Sequence, residues 1–196
     1  SLAEAGTQVI THGDGVYLED ADGHRVLDGL AGLWCVALGY GRHELADAAA
    51  HQMRTLPYAK TFFGQASPAA IELAGVLATL VPDGLDTAFF ASSGSEANET
   101  IVRLVRHYWN LAGRPEKRVL LSREFAYHGS SVMAASLGGM AAMHGMSGVD
   151  AGVFHVLPPY AYRYAEPGES DEAFGIRAAD ALERRILEIG PDRVAA

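Results

Sequence analysis

The stretch of sequence that decides the fold is Phe89-Phe-Ala-Ser-Ser-Gly-Ser-Glu-Ala-Asn98. Its apolar start is typical of a buried strand, its small residues are typical of a turn, and the residues after it repeat apolar side chains at helical spacing. A helix N-terminus carries unpaired backbone N–H groups and a partial positive charge of roughly half a unit. The turn is therefore predicted to bind an anion, with Gly94 admitting the ligand and Ser93 and Ser95 offering hydroxyls.

The same turn also has a simpler interpretation. Serine is a common helix N-cap, so Ser95 can be a cap that binds nothing, with Glu96 and Glu99 supporting the helix dipole. From the residues alone, capping is the more frequent outcome. The turn is not a nucleotide P-loop, because no lysine follows the glycine, and it lacks a dinucleotide fingerprint. A monophosphate fits it better than a nucleotide.

Outward from this turn, apolar runs and amphipathic segments alternate along the chain. Three short apolar runs predict strands, and three longer segments predict helices. The strands are Thr87–Ala91, Val119–Leu121 and Gly152–Val156, and the helices begin near Ser95, begin near Ser130 and span Asp171–Ile189. This alternation predicts an α/β domain with a mainly parallel sheet. The stretch Leu157–Ser170 is predicted to be a long loop.

The N-terminal part has a different pattern. Two β-like runs within Gly15–Asp28 are joined by Asp20-Ala-Asp-Gly23, which favours a hairpin turn. The glycine-rich segment Gly29–Gly41 is predicted to be irregular and buried. One helix is predicted over His43–Leu56, and another begins at Ser67-Pro68, with serine as its N-cap and proline in its first turn.

Composition excludes several classes of protein. The 196 residues are 49% hydrophobic, enough for one good core, and the formal charge of −9 argues against nucleic-acid binding. The single cysteine, Cys35, excludes an intrachain disulfide and is predicted to pack in the core. No apolar run approaches the roughly 18 residues of a membrane span, and the N-terminus lacks a signal-peptide pattern. A cytoplasmic protein with no membrane association is expected.

The residues around the turn resemble class III aminotransferases, pyridoxal 5′-phosphate (PLP) enzymes of the aspartate-aminotransferase fold. The run Ser93-Gly-Ser-Glu-Ala-Asn-Glu-Thr100 is similar to the family's phosphate-binding turn. Further motifs follow in the family's order. They are Gly32-Leu-Trp34, Leu38-Gly-Tyr-Gly41, Pro57-Tyr-Ala-Lys-Thr-Phe-Phe63, Ser122-Arg123 and Tyr127-His-Gly129. The resemblance covers essentially the whole chain.

The resemblance implies a fold and a division of the chain. The fold is PLP fold type I, with a large domain built on a mainly parallel central sheet and the N-terminal part of a small α+β domain. Residues 1–41 would form the hairpin and small-domain segment, 42–66 a linking helix and loop, and 67–196 the N-terminal part of the PLP-binding domain. The chain would be incomplete, and both of its ends look trimmed.

The resemblance also implies roles for individual cofactor-binding positions. Ser93, Gly94 and Ser95 would hold the cofactor phosphate, Tyr127 would stack on the pyridine ring, and His128 would lie beside it. An aromatic face on a flat heteroaromatic ring is physically reasonable, since such stacking adds roughly 0.5–1.5 kcal/mol beyond the area buried. Without the family, Tyr127 would be interpreted as an ordinary core or loop aromatic.

Two further aromatic residues are assigned to the substrate pocket. Trp34 stands where the omega-amino-acid branch of the family has an aromatic wall. Phe62 stands at a position whose residue, in the family, reaches into the active site of the neighbouring subunit. This implies a homodimer with shared active sites. From the sequence alone, Trp34 is equally well interpreted as a tryptophan buried in a glycine-rich turn, and Phe62 as an apolar anchor after a helix.

The two lysines do not match the family's catalytic lysine. Lys60 precedes the phosphate turn, and Lys117 lies in a polar run that predicts solvated surface. The Schiff-base lysine, and the aspartate that keeps the pyridine nitrogen protonated, are therefore expected beyond Ala196, and this chain alone is expected to be inactive. No metal site is predicted, because no histidine has the i, i+4 partner or acidic companions of a metal ligand.

The function expected of the complete enzyme is transfer of an amino group from an amine or omega-amino acid to a keto acid such as pyruvate. Two alternatives stay open. The first is another PLP reaction on the same fold, carried out by an aminomutase, racemase or decarboxylase. The second is a truncated, non-catalytic domain that binds a phosphate-bearing ligand.

Overall fold

The computed structural model describes residues 6–61 and 63–196. The chain divides into two compact units, here called the N-terminal unit (residues 1–87) and the C-terminal unit (88–196). No helix within the described ranges is both long and apolar enough to cross a membrane. The predicted limits of the small and large domains concern the complete protein and stay a prediction.

The N-terminal unit opens with a three-stranded antiparallel sheet in the order β1-β2-β3. The strands are β1 (Ile10–Asp14), β2 (Tyr17–Asp20) and β3 (Arg25–Leu27). The predicted hairpin is β2–β3 and is confirmed, whereas β1 was not predicted. The Asp20 carboxylate fixes the turn by accepting the backbone N–H groups of Asp22 (3.0 Å) and His24 (2.8 Å).

The glycine-rich segment after the sheet is irregular, as predicted. It contains α1 (Ala31–Trp34), a single turn in which Leu33 and Trp34 have φ angles of 57° and 68°. The Asp28 carboxylate links the two ends of the segment by accepting a hydrogen bond from the Tyr40 hydroxyl at 2.7 Å. The predicted burial is wrong: Trp34 is 78% exposed and Cys35 is exposed, because no described residue of this unit covers the segment.

Two helices complete the N-terminal unit, α2 (His43–Thr55) and α3 (Pro68–Ala78). Both were predicted, and Ser67 caps α3 by accepting the N–H of Ala70 at 3.3 Å. The α3 helix ends at Ala78, where the N–H of Thr79 bonds to the carbonyl of Val76 in a tighter i to i+3 turn. Neither helix contains a buried residue.

The C-terminal unit alternates helices and strands, which confirms the predicted α/β class. Strands β4 and β5 pair in parallel, with Leu120 opposite Val153 and Arg123 opposite Val156. A parallel bridge between Val119 and Val194 extends the pairing on the other side of β4. The elements are α4 (Gly94–Leu111), β4 (Leu120–Arg123), α5 (Val132–Leu137), α6 (Ala141–Ser147), β5 (Val153–Val156), α7 (Ala161–Tyr164) and α8 (Asp171–Ile189).

The core of this unit is formed by the helices and the parallel strands. Val102 of α4, Leu120 of β4 and Val153 of β5 form its central cluster. The α8 helix contributes Phe174 and Ala178, each 1% exposed. This packing holds the start of α4 and the end of β4 in a fixed relation, and the candidate site is built at these two places.

Three sequence predictions need correction in the C-terminal unit. The segment Thr87–Ala91 is not a strand: it pairs with no described residue, and Phe89 is 68% exposed. A strand requires a hydrogen-bonded neighbour, and apolar character alone does not supply one. The helix predicted from Ser130 is two short helices, because the backbone of Gly139 bonds to Phe125 and Ala126 instead of continuing the helix. The predicted loop Leu157–Ser170 contains the single turn α7.

Candidate functional site

The turn that begins α4 has a different N-cap from the predicted one. Helix α4 starts at Gly94, and Ser93, with an extended backbone, caps it by accepting the N–H of Glu96 at 3.2 Å. The Glu96 carboxylate reaches back to accept the N–H of Ser92 at 2.8 Å. These reciprocal bonds satisfy two donors of the helix start. Capping is therefore present, but Ser93 performs it and Ser95 does not.

Capping leaves part of the turn open to a ligand. The N–H groups of Gly94 and Ser95 have no acceptor within the described chain. Gly94 is exposed, and no atom lies within 4 Å of the place where its Cβ would be. Two backbone donors and the positive end of an 18-residue helix thus face open space. Such an arrangement favours an anion.

The side chain of Ser95 connects this turn to the segment after β4. Its Oγ accepts the N–H of Ser130 at 3.1 Å. Gly129 has a φ of 129°, and a Cβ there would overlap Ser95 Oγ and lie 3.0 Å from Ser95 Cα. Glycine is therefore required for the Tyr127–Ser130 turn to lie against the start of α4.

Tyr127 and His128 come to the same place on this turn. The Tyr127 side chain is 60% exposed, and no aromatic or cationic group of the described residues stacks on its ring. His128 is half-buried, and its Nε2 lies 3.1 Å from the hydroxyl of Ser122 at the end of β4. The backbone carbonyl of His128 accepts the Asn98 amide at 2.7 Å.

The fold brings together Ser93, Gly94, Ser95, Tyr127 and His128, all of which the sequence singled out. It also adds Asn98 and Ser122, to which the sequence gave no role. Both stand in stretches quoted for the family resemblance, and Asn98 is three residues after Ser95, the spacing of one helix face. This spacing from Ser95 could have identified Asn98 from the sequence.

The two predicted substrate-pocket residues, Trp34 and Phe62, precede the C-terminal unit in the sequence. Trp34 lies in the N-terminal unit on the turn α1, where its exposure excludes the interpretation as a buried tryptophan. Phe62 lies outside the described residues. Their assignment to a substrate pocket stays a prediction.

A cavity of about 520 Å³ lies near the carboxyl ends of β4 and β5, where open α/β sheets bind ligands. Its lining residues are Arg123, Glu124, Phe125, Ala126, Pro158, Pro159, Tyr160, Arg163 and Tyr164. Neither Tyr127 nor the α4 turn lines it. We therefore place the candidate site at the α4 turn, where unbonded backbone donors lie against the turn that carries Tyr127.

The lysines and histidines require two further corrections. Lys117 is half-buried rather than fully solvated: its Nζ donates to the Pro191 carbonyl at 2.8 Å and lies 4.5 Å from the Trp109 ring centre. His24 does have acidic neighbours, since its Nδ1 lies 3.1 Å from Asp20 and Asp22 is close by. Both Asp20 oxygens already accept hydrogen bonds, so we assign no ion to this group.

Comparison with known proteins adds independent information. The model of the class-III aminotransferase family matches residues 2–196. A putrescine–pyruvate aminotransferase of Pseudomonas aeruginosa is 48% identical over 197 residues, covering 100% of this chain and 43% of the relative. A thermostable (S)-enantioselective omega-transaminase from Thermomicrobium roseum superposes with a TM-score of 0.91 at 45% identity, covering 100% of this chain and 44% of that chain.

A second similar structure bears on the cofactor. The omega-transaminase from Pseudomonas jessenii in complex with PMP has a TM-score of 0.93 at 39% identity, covering 100% of this chain and 43% of that chain. The present chain thus spans less than half the length of these relatives. Both structures superpose on the whole of this chain, so every described helix and strand has a counterpart in them. The chain belongs to the class-III aminotransferase family, whose members are PLP-dependent.

Proposed function

We propose that the complete protein is a PLP-dependent transaminase that moves an amino group from an amine or omega-amino acid to a keto acid such as pyruvate. The observation that carries this proposal is the open start of α4, where the N–H groups of Gly94 and Ser95 are unbonded within the described chain and Ser95 holds the turn that carries the exposed Tyr127. The similar proteins, a putrescine–pyruvate aminotransferase and omega-transaminases, support the same reaction.

The described residues fit the cofactor's phosphate. A phosphate needs several hydrogen-bond donors and a positive field, and the α4 turn offers two backbone N–H groups, the Ser93 hydroxyl and the helix dipole. The Ser95 hydroxyl accepts the N–H of Ser130 and keeps its own proton to donate. No protein atom stands in front of Gly94, so the approach is open.

The remaining roles concern the ring. Tyr127 would hold the pyridine ring by offset stacking, and His128, fixed by Ser122, would lie beside it. When bound, the cofactor supplies an electron sink for the carbanion of the amine substrate. The chain's own residues hold and orient it. The catalytic lysine would come from the rest of the complete protein, since Lys117 is engaged with Pro191 and Trp109.

The proposal extends to substrate and assembly. Trp34 would form one wall of the substrate pocket, which its exposed side chain permits. Phe62 would reach the site of a second subunit, so that the complete protein is a homodimer with shared active sites. A cytoplasmic location is part of the same proposal. These assignments rest on the positions of the two residues within the family motifs.

The reaction is tested with the purified complete protein, PLP, pyruvate and a series of amine donors that includes putrescine. Formation of alanine is the expected result. An aminomutase, racemase or decarboxylase on the same fold would bind PLP without forming alanine, and so would a non-catalytic domain. Alanine absent with every donor therefore rejects the transaminase proposal.

The phosphate turn is tested separately through Ser95→Ala in the complete protein. A hydrogen bond to a charged group contributes about 1.5–3 kcal/mol, so the dissociation constant for PLP is expected to rise by at least about tenfold. Ser130→Ala is the matched control, because only the backbone of Ser130 contacts Ser95. Equal PLP affinity in the two variants would remove Ser95 from the proposed site.

A further inference from the structure

Three side chains on one face of α4 bind the segment that follows β4. Ser95 Oγ accepts the N–H of Ser130 at 3.1 Å, and Glu99 Oε1 accepts the N–H of Met133 at 3.3 Å. Between them, Asn98 Nδ2 donates to the carbonyl of His128 at 2.7 Å. The spacing of three and four residues places all three on the same helix face.

Asn98 differs from its two neighbours in what it binds. Ser95 and Glu99 both accept N–H groups, whereas Asn98 supplies a donor, and it does so to a carbonyl. That carbonyl belongs to the peptide plane between His128 and Gly129. Holding it fixes the rotation of this plane, which is the next one after the peptide that joins Tyr127 to His128.

His128 is therefore held from two sides. The helix holds its backbone through Asn98, and the strand end holds its imidazole through Ser122 at 3.1 Å. Tyr127, the preceding residue, has no such contact on its ring and remains exposed. The position of the Tyr127 ring thus depends on a backbone that Asn98 fixes relative to the α4 turn.

We infer that Asn98 is a positioning residue for the cofactor: it sets the plane of Tyr127 relative to the anion-binding start of α4 and does not itself touch the cofactor. This inference rests on the proposed function, because it assumes that the phosphate binds at Gly94 and that the ring lies on Tyr127. It adds a residue to the site that acts only through the backbone of the Tyr127 turn.

The test uses Asn98→Ala and Asn98→Asp in the complete protein, with Asn110→Ala as the matched control. Asn110 lies on the same helix, is exposed, and makes no side-chain hydrogen bond to the described residues. Alanine favours helix, so the first variant keeps α4. Aspartate keeps the shape of the side chain but places an oxygen opposite the His128 carbonyl, so the hydrogen bond is lost. Asn98→Asp therefore replaces Asn98→Ala in the test if the alanine variant does not fold.

Three readouts are measured. PLP affinity is expected to fall by roughly 2- to 12-fold in Asn98→Ala, the range of one net hydrogen bond, and further in Asn98→Asp. The induced circular dichroism of the cofactor band, per bound PLP, is expected to decrease because the ring loses its fixed orientation. In the protein without PLP, hydrogen exchange of the amides of residues 127–133 is expected to become faster. Asn110→Ala should change none of these.

The outcomes separate this inference from the proposed function. An unsubstituted protein that binds no PLP or forms no alanine would contradict the proposed function. An active, PLP-binding protein whose Asn98 variants keep the same affinity and the same circular dichroism per bound PLP would overturn the inference alone. A loss of thermal stability with an unchanged cofactor signal would assign Asn98 a structural role only, and would overturn it too.

Discussion

The two units of the chain use similar apolar patterns with opposite results. All the buried hydrophobic residues of the described chain lie in the C-terminal unit, between Val102 and Ala178. In the described part of the N-terminal unit the buried residue is Asp20. The apolar helix α3 forms there, yet Ile71 on it is 62% exposed. Apolar residues at helical spacing therefore form a helix in both units, but they are buried only where another element packs against them.

Local capping is common to both units. In the N-terminal unit the Asp20 carboxylate accepts several donors of one turn, and Ser67 caps α3. In the C-terminal unit Ser93, Ser131 and Ser170 cap α4, α5 and α8. Local side chain to backbone bonds thus shape both units, whereas the C-terminal unit alone adds a packed core. The following predictions test this contrast.

The largest expected effect is at the core of the C-terminal unit. Phe174→Ala in the complete protein should lower the free energy of unfolding by about 3–5 kcal/mol, because it leaves a cavity. Ile176→Ala, two residues along α8 and 59% exposed, should change it by less than about 0.5 kcal/mol. Urea unfolding measures both. Equal losses would contradict the burial described for α8.

Ile71→Ala sharpens the same contrast in the N-terminal unit. If Ile71 is also exposed in the complete protein, Ile71→Ala should lower the free energy of unfolding by no more than Ile176→Ala does. A loss of about 2 kcal/mol or more would show instead that the complete protein buries this face of α3.

A second prediction concerns the contact between the Tyr127 turn and α4. Gly129→Ala should destabilise the protein by about 1–3 kcal/mol and weaken PLP binding, because the added Cβ overlaps Ser95 Oγ and the φ of 129° is strained for alanine.

Gly175→Ala is the control for this substitution. Gly175 is in the interior of α8 with nothing within 4 Å of its Cβ position, so alanine there should stabilise the protein by about 0.5–1 kcal/mol. Thermal unfolding with and without PLP distinguishes the two. A tolerated Gly129→Ala would mean that the turn does not lie against α4.

Smaller effects are expected from acid. The hydrogen bonds of Arg177 to Glu169 lower the pKa of that carboxyl from its ordinary value of 4.5 to about 2. A lowered folded pKa means that the stabilisation is present above pH 4.5 and is lost as the pH falls from there towards 2. Glu169→Gln should remove this part of the acid dependence, whereas Glu183→Gln, at an exposed position of α8, should leave it. Thermal unfolding between pH 6 and 3 measures the difference.

The N-terminal unit should show a comparable acid dependence from a single turn. Hydrogen bonds, first that from the Gln8 side chain, hold the pKa of Asp20 well below its ordinary value of 3.8. Its stabilisation is therefore present above about pH 4 and declines as the pH falls below it. Asp20→Asn should abolish that decline, with Asp22→Asn as the control. Hydrogen exchange in residues 10–27, followed against pH, reports on this unit alone.

Much of the fold could be predicted from local sequence signals. Helix α8 spans Asp171–Ile189 as predicted, because its amphipathic period and a serine cap both lie within the segment. The strand predicted at Thr87–Ala91 was wrong, because its hydrogen-bond partner is a long-range property. The N-cap of α4 was misplaced from Ser93 to Ser95, because adjacent serines give the same local signal and only the backbone conformation separates them.

The sequence by itself determined the family motif, most of the strand–helix alternation, and the small-residue turn at Gly94 that begins a long helix. Only the tertiary structure decided which distant groups meet there. Asn98 contacts His128 across 30 residues, and Ser95 contacts Ser130 across 35. These contacts depend on α4 and β4 packing together around Val102 and Leu120. Periodicity along a chain encodes which face of an element is apolar, whereas the partner of that face is chosen by packing.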